Sequence, residues 1–251
     1  MLKEERLDKI VALVDRKGTV KVSDIMQQLN VSDMTVRRDL SELDNSGLLK
    51  KIHGGAQSIH QYKRKELSHL EKKIINMEEK TQIVKKALTL IQEGDTIFLG
   101  PGTTLELLAA NMKYDSLRIV TNSLPVFTTL VEKENNMEVH LLGGQIRKRT
   151  QAFFGDLTDQ MLESMHFQKT FISCNAIKGN KIMTASIEEG KTQKIALDNA
   201  VEKYLLVDDS KLNKEDFYAF YELDQFTSVI TNDNHTHSYR ALTEFVQTIV
   251  S

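Results

Sequence analysis

The chain has 251 residues, 40% hydrophobic and 27% charged, with 12 glycines and 2 prolines, which excludes a collagen-like or largely disordered protein and leaves room for one large folded domain or two smaller ones. The formal charge of −2 conceals a split, because residues 1–65 carry 13 Lys and Arg against 9 Asp and Glu (+4) and the remainder 20 against 26 (−6), the pattern of a polyanion-binding head on an acidic body. No apolar run approaches the ~18 residues of a membrane span, the one cysteine, Cys174, cannot form an internal disulfide, and Met1 to Arg6 alternate acid and base with no apolar stretch behind them, so a cytoplasmic protein with no membrane partner is expected.

Residues 1–56 read as three short helices and a hairpin. Leu7, Ile10, Val11 and Val14 recur at i, i+3, i+4, i+7, one apolar stripe of a helix that Lys17-Gly18 ends. Val22, Ile25, Met26 and Leu29 repeat the spacing with Ser23 as the expected N-cap, and Asn30-Val31 turns the chain. Ser32 then caps a third helix with the stripe Val36, Leu40, Leu43. Two helices joined so tightly form a helix-turn-helix.

At about 100° per residue the third helix leaves Met34, Thr35, Arg37 and Arg38 on or beside its outer face. A recognition helix meets base edges with its first turns, and arginine bonds guanine with two hydrogen bonds. The hydroxyls of Ser32 and Thr35 at a helix N-terminus suit phosphate oxygens. Leu48 to Ala56 then make a basic hairpin with a glycine pair, the wing of a winged helix, which sets Lys50, Lys51 and His53 beside the DNA backbone or minor groove. Ordinary surface pairs, Arg37 or Arg38 with Asp39 or Glu42, are the alternative.

Residues 57–79 are dense in charge, with Lys63-Arg64-Lys65 and Glu71-Lys72-Lys73, and read as a partly helical linker. From 80 to 251 short apolar runs at Thr96–Leu99, Leu117–Val120, Met137–Leu142, Thr170–Cys174, Tyr204–Val207 and Ser228–Ile230 alternate with helix-length segments such as Leu105–Met112 and Glu188–Val201. That alternation predicts a mainly parallel sheet covered by helices, a Rossmann-like α/β domain. Ligands of such sheets bind at the C-terminal strand ends. There the sequence places Gly100-Pro101-Gly102-Thr103-Thr104, Thr121-Asn122-Ser123, Gly143-Gly144-Gln145 and Asp208-Asp209-Ser210-Lys211. Glycines let backbone approach an anion, hydroxyls and helix N–H groups donate to it, and Lys80 or Lys211 supplies positive charge.

At Val31–Leu40, His53–Ala56, Gly100–Thr104, Val120–Ser123, Leu142–Gly144 and Asp209–Lys211 the chain resembles the DeoR family of transcriptional regulators over nearly its full length. The resemblance implies a sugar-phosphate sensor domain related in fold to ribose-5-phosphate isomerase, with Lys80, Gly102, Thr103, Thr104, Asn122, Gly144 and Lys211 around the effector. Ile97–Thr104 and Lys203–Leu212 resemble the lactose branch of the family, which implies tagatose 6-phosphate as inducer and a lactose or galactose operon as target. Pro101 stands where many relatives have another residue.

No cofactor is expected, and no His/Cys group has metal-ligand spacing; His235 and His237 beside Asp233 read as solvated surface. Arg147-Lys148-Arg149 either touches the effector or a neighbouring subunit, or is a solvated loop. Paired operator half-sites call for a homodimer or homotetramer. The alternative function is a sugar-phosphate isomerase with an accessory nucleic-acid module. It lacks an obvious base in the Gly143-Gly144-Gln145 loop, which leaves Asp208, Asp209, Glu188 and Glu189 as candidates.

Overall fold

A computed structural model describes residues 2–58, 66–232 and 242–250. The chain divides at 65/66 into two compact units. Lys63–Lys65, His235 and His237 lie outside the described residues.

In the first unit α1 (Lys3–Lys17) stops at Gly18, whose φ of 77° suits a residue without Cβ. A strand that the apolar periodicity does not reveal, β1 (Thr19–Lys21), comes next and runs directly into α2 (Val22–Leu29). The helix therefore starts one residue before Ser23, which is not its cap. The Val22 amide instead donates to the Gly54 carbonyl at 2.9 Å, so a backbone group does the work a capping hydroxyl would do. Asn30, left-handed at φ 52°, closes α2. Ser32 caps α3 (Asp33–Asn45) as expected, accepting from the Thr35 amide at 3.3 Å.

β2 (Lys50–Ile52) and β3 (Gly55–Gln57) form the hairpin, and β3 lies between β1 and β2 in an antiparallel sheet. A Cβ on Gly55 would strike the Val20 carbonyl oxygen, so the close approach of β1 and β3 requires glycine there. Ile10, Val14, Ile25, Val36 and Leu40 are fully buried together. Arg6 reaches across with two hydrogen bonds to the buried Asp39, Nε to Oδ2 at 2.6 Å and Nη2 to Oδ1 at 3.2 Å, and so fastens α1 to α3.

The second unit opens with α4 (His69–Lys73) and α5 (Met77–Leu88). The later part of the stretch read as linker is therefore packed in this unit. Ser68 and Glu71 form a capping box at the start of α4, and His69 is buried. Thereafter come β4 (Thr96–Leu99), α6 (Thr103–Asn111), β5 (Arg118–Thr121), α7 (Leu124–Val131), β6 (Glu138–Leu141), the hairpin β7 (Gln145–Arg147) and β8 (Ala152–Phe154), α8 (Asp156–Glu163) and β9 (Phe167–Ile172). They are followed by β10 (Ala176–Lys178), β11 (Lys181–Thr184), α9 (Ile187–Asp198), β12 (Ala200–Leu206), β13 (Tyr218–Glu222), β14 (Ser228–Thr231) and β15 (Thr248–Val250).

Seven strands pair in the order β15-β14-β12-β9-β4-β5-β6, every neighbouring pair parallel, while β10, β11 and β13 form a separate antiparallel sheet. Successive strand residues feed opposite cores. Ile97, Leu99, Ile119, Phe171 and Leu206 pack with Ile83, Leu105, Leu108 and Val126 from α5, α6 and α7, whereas Phe98, Val120, Ile172 and Leu205 pack with Leu162 and Leu197 from α8 and α9. A sheet buried on both faces needs apolar residues at every position, which is why these strands read as continuous apolar runs.

Candidate functional site

On the outer side of α3, Met34 is 81% exposed, Ser32, Arg37 and Arg38 are exposed and Thr35 is half-buried. Arg37 pairs with Asp33 one turn back, not with Asp39 or Glu42, since Asp39 is held by Arg6. Arg38 has no ion pair among the described residues. On the hairpin Lys50, Lys51 and His53 are exposed. Lys51 is partly committed, its amide donating to Asp44 Oδ1 at 3.0 Å and its ammonium to Ser41 Oγ at 2.7 Å, which fastens β2 to the second half of α3. Lys50, by contrast, has no side-chain partner among the described residues. Lys50→Ala is expected to weaken binding to every DNA sequence alike and to reduce the salt slope by about one; a sequence-selective loss in a salt titration would contradict it.

In the second unit the strand order reverses at β4: β5 and β6 follow on one side, while β9 lies on the other. The crevice at the carboxyl ends of β4 and β9 is the place where such sheets receive ligands. Here the Gly100 amide donates to the Phe171 carbonyl at 2.9 Å, and a Cβ on Gly102 would stand 3.6 Å from Ser173 Cβ. The loop after β4 thus lies against the loop after β9. Gly102, at φ 143°, starts α6, with Thr103 and Thr104 as its first two residues. Neither threonine hydroxyl has a hydrogen-bond partner among the described residues.

Lys80, on α5, is buried and donates from Nζ to the Lys72 carbonyl at 2.6 Å. Burial holds its ammonium below the ordinary lysine value; Asp208 opposes the shift, and the charges of Lys211 and Lys72 add to it. Lys72 is lowered in the same way, by burial first, with Glu66 opposing and Lys211 adding. Three lysines, 72, 80 and 211, are therefore electrostatic neighbours.

Two expected residues stand differently. Asn122 is buried and clips the loop after β5 to β8: its Nδ2 donates to the Phe153 carbonyl at 2.8 Å, and its backbone carbonyl accepts from the Phe153 amide at 2.7 Å, while Oδ1 has no partner among the described residues. Gly144 has a packing reason for being glycine, since at φ 148° a Cβ would meet Thr158 Oγ1 and would stand 2.7 Å from the Phe154 carbonyl oxygen. Residues missed from the sequence are Lys72, Ser173 and Asn175. In the sequence Lys72 reads as linker charge, although Ser68 and Glu71 three apart are a capping signal that marks α4.

The carboxylates considered as bases are engaged. Asp208 accepts from Asn76 Nδ2 and from the Ser210 amide, each at 3.0 Å. Glu188 accepts from Ser186 Oγ at 2.7 Å, Glu189 accepts from Arg147 and Thr150, and Asp209 Oδ1 accepts from Asn232 Nδ2 at 3.2 Å. Cys174 is buried, and burial pushes its thiol up to about 12, which makes it a poor nucleophile.

A basic winged head joined to a parallel α/β unit with lysines clustered at a strand-end crevice is the build of a DNA-binding regulator with its own sensor. Residues 6–62 match the DeoR-like helix-turn-helix domain and residues 75–233 the DeoR C terminal sensor domain. A protein of Streptococcus mutans serotype c named lactose phosphotransferase system repressor is 50% identical over 99% of this chain and 100% of its own length. A protein of that name from Staphylococcus epidermidis is 48% identical over the same shares. The chain belongs to the DeoR family of transcriptional regulators, and is a regulator rather than an enzyme. Among solved structures, ribose 5-phosphate isomerase A from Methanocaldococcus jannaschii aligns over 54% of each chain at TM-score 0.39 and 18% identity, too distant to carry a functional inference.

Proposed function

We propose that the chain represses a lactose or galactose operon by binding operator DNA through α3 and the β2–β3 wing, and that a sugar phosphate, tagatose 6-phosphate, releases it. The named relatives support the repressor role. The observation that supports the sensor reading is the grouping of Lys72, Lys80 and Lys211, with Lys72 bonded to Asn175 in the loop after β9 whose Ser173 lies against Gly102 at the start of α6, where the hydroxyls of Thr103 and Thr104 have no partner among the described residues. A phosphate dianion answers both demands: it compensates the lysine charges and accepts from the hydroxyls and first amides of α6. Gly102 lets the backbone approach the ligand, and Asn122 Oδ1 and Gly144 lie at neighbouring strand ends.

The protein acts in the cytoplasm as a homodimer or homotetramer, because a two-fold operator takes two heads. Induction requires that the sugar phosphate bind the DNA-free arrangement more tightly than the DNA-bound one. Thr104→Ala tests the site: operator affinity is expected to stay at the wild-type level while release by tagatose 6-phosphate is lost. The measurement is retention of DNA from upstream of the chain's own gene, titrated with a panel of sugar phosphates. Release of the variant at wild-type concentrations refutes the site.

A further inference from the structure

Glu66 is the first residue of the sensor unit and follows directly on residues 59–65, the stretch of chain that leads from the head. Its side chain is 11% exposed. One carboxylate oxygen, Oε2, lies 2.7 Å from Arg147 Nη2; the other, Oε1, is 3.5 Å from Lys72 Nζ and accepts from Asn175 Nδ2 at 3.4 Å. The Glu66 carbonyl accepts from Arg149, and Lys72 Nζ also donates to Asn175 Oδ1 at 3.0 Å. A carboxylate loses its water only where cations and donors replace it. Here α4, β7 and the loop after β9 each supply one, and together they make an anion receptor.

This receptor shares Lys72 and the loop after β9 with the proposed phosphate position. Lys72 carries the carbonyl to which Lys80 donates, and Lys211 is among its charged neighbours. The loop that supplies Asn175 is the one whose Ser173 lies against Gly102. Burial works against ionisation of Glu66, but the positive charges of Lys72 and of Arg147, 2.7 Å away, prevail and hold its carboxyl below the usual range. Glu66 is therefore a full negative charge beside the site of a second one.

We propose that Glu66 is a tethered competitor of the effector, and that a phosphorylated ligand at the start of α6 draws Lys72 away from it, so that the ligand and Glu66 contend for the same cation. The inference rests on the sensor reading above and adds which charge of the chain the effector has to displace. Arg147 is not stranded when Glu66 leaves, because it also bonds Glu189 at 3.0 Å. Glu189, in turn, is pushed up by burial and keeps the hydrogen bond from Thr150. The competition is electrostatic, so it discriminates ligands that carry a phosphate from those that do not.

The test is calorimetric titration of the full-length protein and of Glu66→Gln, which keeps the shape and one acceptor but removes the charge, with tagatose 6-phosphate, inorganic phosphate and unphosphorylated tagatose at one ionic strength. Glu66→Gln is expected to bind tagatose 6-phosphate about ten-fold tighter, a coupling of ordinary size between sites, and to gain nothing for tagatose. Glu66→Asp, which keeps the charge on a shorter stem, is expected to fall between the two and guards against a glutamine variant that does not fold. Equal or weaker binding of tagatose 6-phosphate by both variants, with the wild type binding it, overturns the competition and leaves the sensor reading intact. Failure of wild type and variants alike to bind tagatose 6-phosphate or inorganic phosphate overturns both.

Discussion

Replacing Leu40 with alanine is expected to unfold the head of the full-length protein, or bring it to the edge of unfolding, under conditions where the sensor unit stays folded. Leu40 is fully buried where α3 packs on α1 and α2, among Ile10, Val14, Ile25 and Val36. Truncating a leucine at such a site costs about 2–5 kcal/mol in lost transfer energy and residual cavity. A unit of this size holds roughly 3–9 kcal/mol at the usual stability per residue, so one methyl-rich side chain is a large share of the whole. The two units have separate cores, and the loss therefore falls on one of them. Amide hydrogen exchange read separately for residues 3–57 and 66–232 checks this, because a single melting temperature is ill-defined for a two-unit chain. Unchanged protection of α3 would show that the site collapses around the cavity.

Arg38→Ala is expected to weaken binding to the operator by about 1–3 kcal/mol, roughly 5- to 150-fold, with little change on scrambled DNA beyond the loss of one positive charge. The neighbouring arginine is the instructive contrast. Arg37 is paired with Asp33 along the helix, so its removal disturbs the helix surface as well as any DNA contact. Arg38 is exposed and has no ion pair among the described residues, so its loss leaves the head's stability alone and any change in affinity reports on DNA. Fluorescence anisotropy with operator and scrambled duplexes at one fixed salt concentration separates the two effects. Operator affinity equal to that of the wild type removes Arg38 from the base-reading face.

Much of the architecture can be read in the residues themselves. Local signals carry it: the i, i+3, i+4, i+7 stripes of α1 to α3, the hydroxyl of Ser32 before α3, the glycine that stops α1, and six apolar runs that lie in parallel strands. Each depends on contacts between near neighbours or on a face that must be buried, so composition and spacing suffice. The seventh strand, β15, and the three-residue β1 escaped because a strand that short has no period of its own and exists only by pairing with β14 or β3.

What the amino acids alone determined is which side chains are available for anions: hydroxyls and glycines at strand ends, arginines at the first turns of α3, and an excess of positive charge in the first 65 residues. Tertiary structure alone decided which of them meet. The reversal of strand order at β4 sets the loop after β4 against the loop after β9, and the packing of α4 brings Lys72 and Glu66 into the company of Arg147, whose place in sequence is far away. Electrostatic and hydrogen-bond energies depend on separations of a few ångströms, and for residues distant in the chain those separations are set by how the sheet closes its core.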